Sequence, residues 1–252
     1  MKKIVVGLAS LFAIAFGTLA YGQVPGMFQP LLIGGTTPIG TPTSLGSTTS
    51  ASGNSVTCTI TTTANLTAGN LLAVAVQIPS NTLQTVSGVV AGTNVLSVAV
   101  AQNDGANYNN EIWYIGNAAF LASGSSIVVT FSAITTGGNG YGCEAMQTSG
   151  IIKASPLDKT ATQNTTTASP TVTTAALSQA NEIAFGSSFQ GGGPNTYTEA
   201  SGFTNLFNVN PGSLNRAGLG YKITTATTAV TYAPTFSGSR TTETVIATFK
   251  GF

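Results

Sequence analysis

Histidine is missing from this chain, and charged residues make up only 6% of its 252 positions. An average soluble domain carries roughly 25% charged residues. Without histidine there is no Ser-His-Asp or Cys-His catalysis and no histidine-ligated zinc or haem. Eight basic and seven acidic residues leave a net charge of +1, without the clustered Lys and Arg of nucleic-acid-binding proteins. The sequence therefore argues against histidine-dependent enzymes and nucleic-acid partners.

The first 22 residues have the pattern of a secretory signal peptide. Two lysines open it, residues 4–19 are apolar or small, and Ala20-Tyr21-Gly22 fits the small-x-small cleavage pattern. A membrane anchor is the alternative, but the run falls short of the ~20 apolar residues that cross a bilayer. We therefore expect an exported bacterial chain that starts at Gln23, has no membrane span, and is secreted or held at the cell surface.

The chain has only two cysteines, Cys58 and Cys143. In an exported protein two cysteines predict one disulfide, and the alternative is a pair of buried free thiols. A bridge would place the first strand of the folded domain next to the strand that carries Cys143. The bridge would close the long loop between the two cysteines and would stabilise the fold by roughly 4 kcal/mol, according to the chain-entropy relation.

Residues 23–53 are rich in Gly, Pro, Thr and Ser and show no apolar alternation. This composition predicts an extended arm or linker ahead of a domain that spans residues 54–252. The arm holds an apolar cluster that a simple linker does not need: Met27, Phe28, Leu31, Leu32 and Ile33. Three interpretations stay open. The arm docks on a neighbouring copy, folds back as an extra edge strand, or stays disordered.

From Ser55 onwards the sequence alternates with period two, which indicates half-buried β-strands. Residues 71–78 are nearly all apolar, as in a central strand covered on both faces. Further strand-like runs occupy residues 83–90, 95–101, 111–115, 126–132, 142–149, 171–175, 182–189, 217–223, 229–236 and 243–249. No segment has a helical apolar stripe with caps. We predict an all-β fold, a two-sheet antiparallel β-sandwich that is jelly-roll-like.

Several short motifs follow one another in a characteristic order in the second half of the chain. They are Ser149-Gly150, then Ser155-Pro156-Leu157-Asp158-Lys159-Thr160-Ala161 with a Thr-rich strand after it, then Asn181-Glu182-Ile183-Ala184-Phe185-Gly186, Gly202-Phe203-Thr204 and Ala247-Thr248-Phe249-Lys250. Together they resemble a bacterial exported module, a concanavalin-like or jelly-roll β-sandwich of secreted and cell-surface proteins. The resemblance covers roughly residues 55–252. It implies a fold and brings no catalytic residues with it.

Carboxylate catalysis is an enzyme chemistry that needs no histidine, and sandwich folds host glycoside hydrolases that use it. Glycoside hydrolases need two carboxylates that face each other across a cleft. Glu144 and Glu182 lie in or beside strands and are the candidate pair. The chain has neither the Glu-x-Asp-x-x-Glu strand of jelly-roll glucanases nor a Gly-x-Ser-x-Gly elbow. We therefore predict no catalytic residues.

One loop offers oxygen ligands for calcium. The candidate ligands are Asn103, Asp104, Asn107, Asn109 and Glu111. Calcium takes six to eight oxygens, but the same residue types are typical of a hairpin turn. No other cofactor is predicted.

Three tyrosines fall in or beside loops: Tyr108, Tyr141 and Tyr197. Aromatic rings with polar neighbours can contact a glycan, but sandwich cores also use them. They support a carbohydrate-binding hypothesis, with polysaccharide as the partner.

The low charge of the strands bears on function. Exposed edges with few lysines are open to strand addition by another chain. We expect a non-catalytic structural or adhesive β-sandwich of the cell surface or extracellular matrix that self-assembles through its N-terminal arm. Its partners would be its own copies or other surface components. A lectin-like, carbohydrate-binding module is the alternative, and a glycoside hydrolase-like enzyme comes third.

Overall fold

The computed structural model describes residues 37–50, 55–80, 82–133, 140–193, 195–212 and 214–252. All regular elements among these residues are β-strands, and the strands pair antiparallel, which confirms the expected fold class. Residues 37–252 form one compact unit. The predicted signal peptide and the apolar cluster from Met27 to Ile33 lie outside the described residues. Within the described ranges no helix is long and apolar enough to cross a membrane.

The first half of the unit forms two sheets. Its strands are β1 (Thr43–Ser50), β2 (Thr57–Thr61), β3 (Leu71–Pro79), β4 (Val86–Ala91), β5 (Asn94–Val95), β6 (Ser97–Asn103), β7 (Tyr108–Ile115), β8 (Ser126–Phe131) and β9 (Tyr141–Thr148). Sheet I has the strand order β1-β9-β3-β7-β6, and sheet II has the order β2-β8-β4-β5.

The second half forms one large sheet and two short ribbons. Its strands are β10 (Leu157–Thr167), β11 (Val172–Thr173), β12 (Asn181–Gln190), β13 (Tyr197–Thr198), β14 (Thr204–Val209), β15 (Arg216–Thr225), β16 (Thr231–Tyr232), β17 (Thr235–Phe236) and β18 (Arg240–Lys250). Sheet III has the order β10-β18-β12-β15-β14, and the ribbons are β11-β16 and β13-β17.

Sheet I is the middle layer of the core. All residues of β3 are buried, because alternate side chains pack against different sheets. Val74 belongs to a cluster shared with Ile127 of sheet II, whereas Ala73 belongs to one shared with Phe185 of sheet III. A strand covered on both faces needs a continuous apolar run, as residues 71–78 provide. Sheets I and III form the expected sandwich, and sheet II adds a layer outside sheet I.

The two halves share one strand order. In each half the first strand lies at a sheet edge beside the last strand, followed by the third strand and then by a hairpin, β7-β6 or β15-β14. The second strand, β2 or β11, leaves this sheet for an outer layer. The ribbon strand β16 covers the far face of sheet III through Tyr232, which clusters with Ala184 and Ile246.

The predicted disulfide is confirmed. Cys58 in β2 and Cys143 in β9 are fully buried and bonded, with a Cα–Cα distance of 6.6 Å. The bridge joins sheet II to sheet I across their shared core, so the two strands are neighbours in different layers.

The folded unit begins earlier than the predicted boundary at residue 54. Strand β1 pairs with β9 from Thr43 to Ser50 and buries Leu45 completely. A register irregularity near Gly46, with a φ of +135°, fits the strand to its neighbours. The latter part of the predicted arm is therefore an edge strand of its own domain.

Candidate functional site

The two glutamates proposed as a catalytic pair, Glu144 of sheet I and Glu182 of sheet III, lie on opposite sides of sheet III. Glu144 lies beside Ala75 in sheet I, on the face that packs against sheet III. Glu182 lies two residues before Ala184 in β12, and both belong to the outer face of sheet III. Because a layer of strands separates the two carboxylates, they do not face each other across a cleft as glycoside hydrolysis requires.

Glu144 has an unusual setting between the sheets. Its carboxyl oxygens and Gln77 Oε1 are buried without an identified hydrogen-bond donor. Gln77 Oε1 and Glu144 Oε1 face the same small space above Gly142. A Cβ atom added to this glycine would lie 2.9 Å from the first oxygen and 3.3 Å from the second. Burial raises the pKa of Glu144 to about 8, although the contact with Gln77 opposes this. A protonated Glu144 can donate to Gln77 Oε1, which would satisfy both groups.

Glu243 is a second buried carboxyl between sheets I and III. It lies beside Phe189 in sheet III, and its side chain is fully buried. Burial, together with the charge of Asp104, raises the pKa of Glu243 to about 8. Because a buried carboxylate without donors is strongly unfavourable, the neutral form is the one that fits this position.

Asp158 and Glu182 form an acidic pair near the beginning of sheet III. Burial would raise the pKa of Asp158, but hydrogen bonds from the Ser178 amide and hydroxyl, at 2.8 and 2.6 Å, help to hold it at about 2. Lys159 adds the one ion pair found among the described residues, at 3.3 Å. Burial and the nearby Asp158 raise the pKa of Glu182 to about 7, while a contact with Thr248 opposes the rise. The hydrogen bonds from Ser178 thus attach Asp158 of β10 to the segment just ahead of β12.

The predicted calcium loop is a capped hairpin turn. Asp104 Oδ1 accepts hydrogen bonds from three loop amides, those of Ala106, Asn107 and Tyr108, at 2.7 to 2.9 Å. Glu111 is buried and accepts from the Val86 amide at 3.0 Å, as well as from Asn109 and Trp113. Within the described part of the chain no group of three acidic or cysteine residues could hold a metal. The carboxylate oxygens of Asp104 and Glu111 therefore accept hydrogen bonds from protein donors, whereas Asn109 Oδ1 is buried without an identified donor.

The three tyrosines each pack against a different part of the molecule. The ring of Tyr108 lies edge-on to Phe189 with centroids 5.6 Å apart, and the ring of Tyr141 lies against Phe131 at 5.5 Å. Tyr197 is only 6% exposed. Rings engaged in this way do not offer one shared platform for a sugar.

Tyr197 belongs to a buried phenol pair that sequence reasoning missed. Its hydroxyl lies 2.7 Å from that of Tyr232, and Glu199 lies beside both. A Cβ atom at Gly218 would lie 2.0 Å from Tyr197 Cζ, so the ring rests directly on the sheet backbone. The glycines of β15 indicate that another group packs closely on this strand, but the sequence does not reveal which ring it is.

The first half of the unit has almost no charge on its surface. No lysine or arginine occurs from residue 4 to residue 152. In residues 37–152 the acidic residues are Asp104, Glu111 and Glu144, and the two glutamates are buried. Asp104 is therefore the one charged side chain of this range that reaches solvent.

The outer face of sheet II is also uncharged and carries exposed apolar side chains. Thr59, Val128, Val90 and Val95 are cross-strand neighbours in one row across all four strands. Val90 is 42% and Val95 is 70% exposed. Exposed apolar side chains on an uncharged sheet face are typical of an interaction surface.

Sheet III presents an open edge at β10. This strand pairs with β18 on one side and ends the sheet on the other. Residues 160–167 carry no charge and no proline. The sequence indicated a Thr-rich strand here but gave no signal that it lies at an edge.

Comparisons with protein-family models, curated proteins and solved structures find no match to this chain. The resemblance to a bacterial exported module therefore stays a prediction, and the site must be interpreted from its own chemistry.

Proposed function

We propose that the protein is an exported, non-catalytic structural or adhesive β-sandwich of the cell surface or extracellular matrix, whose copies associate with one another. The observation that carries this proposal is the nearly uncharged surface of residues 37–152. Copies of such a surface do not repel one another, because like charges that would keep them apart are missing.

The exposed row on sheet II supports association. Natural sheets usually protect exposed strands with lysine, proline or bulges. Val90 and Val95 instead leave apolar side chains in solvent, at the end of the row that begins at Thr59. Contact with another surface would remove this apolar area from water and stabilise the assembly.

The arrangement of the carboxyl groups supports a non-catalytic role. Glu144 and Glu243 are enclosed between sheets, and Glu111 accepts hydrogen bonds from the core. Asp104 is occupied by loop amides. These four carboxyls are thus either enclosed by the fold or engaged by protein donors.

The disulfide supports export. A bridge between two fully buried cysteines persists in an oxidising compartment and is rare in the cytosol. Together with the predicted signal peptide, the Cys58–Cys143 bond fits a protein that acts outside the cell.

The proposal is tested by the mass of the oxidised chain 23–252 in solution. Sedimentation velocity at rising concentration should show a species heavier than the monomer, and negative-stain images should show defined assemblies. A chain that stays monomeric throughout would contradict the proposal. A monomer that co-sediments with insoluble polysaccharide would favour the lectin-like alternative instead.

A further inference from the structure

We propose that two copies of the chain pair through strand β10, antiparallel to each other around a two-fold axis beside Asn164. This inference rests on the proposed self-association and names one contact that produces it. The contact joins sheet III of one copy to sheet III of the other into a continuous sheet of ten strands.

The edge of β10 has unused pairing capacity. In an antiparallel ladder, alternate residues direct their amide and carbonyl groups to opposite sides of the strand. Strand β10 pairs with β18 alone, and no backbone hydrogen bond links it to another strand. An open edge of this kind is a template for a strand of another chain.

Strand β10 is also the longest regular edge in the described part of the molecule. Its register with β18 is unbroken from Thr160 to Thr167. The irregularity in β10 lies between Leu157 and Thr160, ahead of this stretch. The edges β1, β6 and β14 each contain an irregularity as well and have shorter regular stretches. The remaining edges of the three sheets are β2, which is regular over five residues, and β5, which has two. Bulged and short edges resist pairing, which leaves β10 as the preferred site.

The occupant follows from the charge pattern of the strand. When a strand pairs with its own copy around a two-fold axis, identical residues lie near each other, and like charges there would be destabilising. An axis beside Asn164 sets Thr162 opposite the second copy's Thr166. Asp158 and Lys159 then lie opposite residues 170 and 169, beyond the end of β10. The paired segment itself is therefore free of charge. Asp104 lies close by, because the carbonyl of its neighbour Asn103 accepts a hydrogen bond from the Asn164 side chain at 3.4 Å.

The exposed side chains suit this geometry. Thr162, Asn164 and Thr166 are exposed and share one face of the strand. Cross-strand threonine pairs contribute favourable hydrogen bonds and packing. A two-fold contact is closed by two copies, so it produces a dimer and not a filament.

The main test introduces like charges into the contact. T162K/T166K and T162E/T166E should each raise the dimer dissociation constant by about tenfold or more, because two like-charge pairs face each other across the axis. An equimolar mixture of the two variants should form heterodimers with affinity near that of the unmodified chain. The matched control T204K/N208K adds the same charge to β14, the opposite edge of sheet III, and should leave dimerisation unchanged.

A cysteine cross-link tests the register directly. Directly opposite residues on antiparallel strands have Cα atoms about 4.5–5.5 Å apart, within the range of a disulfide. In full-length oxidised chain, Asn164→Cys should cross-link to its own copy, whereas Asn208→Cys on β14 should not. This measurement remains informative if a charged variant fails to fold.

The outcomes separate this inference from the proposed function. If the unmodified chain associates but neither the β10 charges nor Asn164→Cys has the stated effect, self-pairing through β10 is wrong and self-association stands. If the unmodified chain is monomeric at every concentration, both proposals are wrong.

Discussion

Three buried glutamates make the stability of this protein depend on pH in an unusual direction. Burial is the main reason that the pKa values of Glu144 and Glu243 rise to about 8 and that of Glu182 to about 7. The ordinary value is 4.5. Between that value and 8 the folded state holds more protons than the unfolded state, so the free energy of unfolding falls as pH rises. Asp158, with a pKa of about 2, acts oppositely in stronger acid.

The Glu144→Gln variant should separate one of these contributions. The neutral amide keeps the shape of the protonated carboxyl and can still donate to Gln77 Oε1. Urea unfolding should show the unmodified chain losing stability from about pH 5 to about pH 9, and the variant losing less, by on the order of 3 kcal/mol. At the lower pH the two should be similar. Equal pH slopes would mean that Glu144 is ionised in the folded protein.

At the scale of elements, the short ribbons depend on glycines in the sheet beneath them. A Cβ atom at Gly218 would lie 2.0 Å from the Tyr197 ring, and one at Gly186 would lie 2.4 Å from the Tyr232 ring. These contacts are far closer than packed atoms allow. The rings of β13 and β16 can therefore lie flat on sheet III only where the sheet has no side chain.

The Gly218→Ala variant should destabilise the fold by about 1–3 kcal/mol, because the added methyl group displaces the buried Tyr197 ring. Thermal unfolding of the oxidised chain measures the loss. Gly88→Ala is the matched control, since a Cβ atom there has no neighbour within 4 Å. Equal melting temperatures for the two variants would show that the ribbon can shift without loss.

The elements differ in how far the sequence predicts them, and the reason is side-chain chemistry. Strand β3 was predictable because both faces are covered, which requires a continuous apolar run. The sequence predicts β1 as part of the arm because its Thr, Ser and Gly residues show little alternation, and Leu45 is its one buried apolar side chain. The edge position of β10 depends on pairing partners far along the chain, which local pattern does not reveal.

At the scale of the whole molecule, layer order decides what the candidate residues can do. Composition and spacing correctly predicted the disulfide and the all-β fold. Glu144 and Glu182 lie on opposite sides of sheet III because the register of β9 in sheet I and of β12 in sheet III decides which way each side chain points. The sequence predicts Tyr197 in or beside a loop, but the tertiary packing of its ribbon buries it. Such facts depend on contacts between distant segments, and one sequence does not contain them as a local signal.

Association of the whole molecule should be insensitive to salt. The paired segment of β10 and the exposed row on sheet II contain no charged residue, so screening has little attraction or repulsion to weaken. The dimer dissociation constant should change by less than about twofold between about 0.05 and about 0.5 M salt. Sedimentation at both concentrations measures it. A marked weakening by salt would indicate contacts through the charged residues of the second half, such as Arg216 or Lys222.

The uneven distribution of basic residues also makes the two halves chemically distinguishable. No lysine or arginine occurs from residue 4 to residue 152, and the lysines after that range are Lys153, Lys159, Lys222 and Lys250. Trypsin therefore leaves the whole of β1 to β9 in one peptide that ends at Lys153. With the α-amino group blocked, amine-reactive dyes or beads attach only to lysines of the second half, so an immobilised molecule would leave the exposed row of sheet II free.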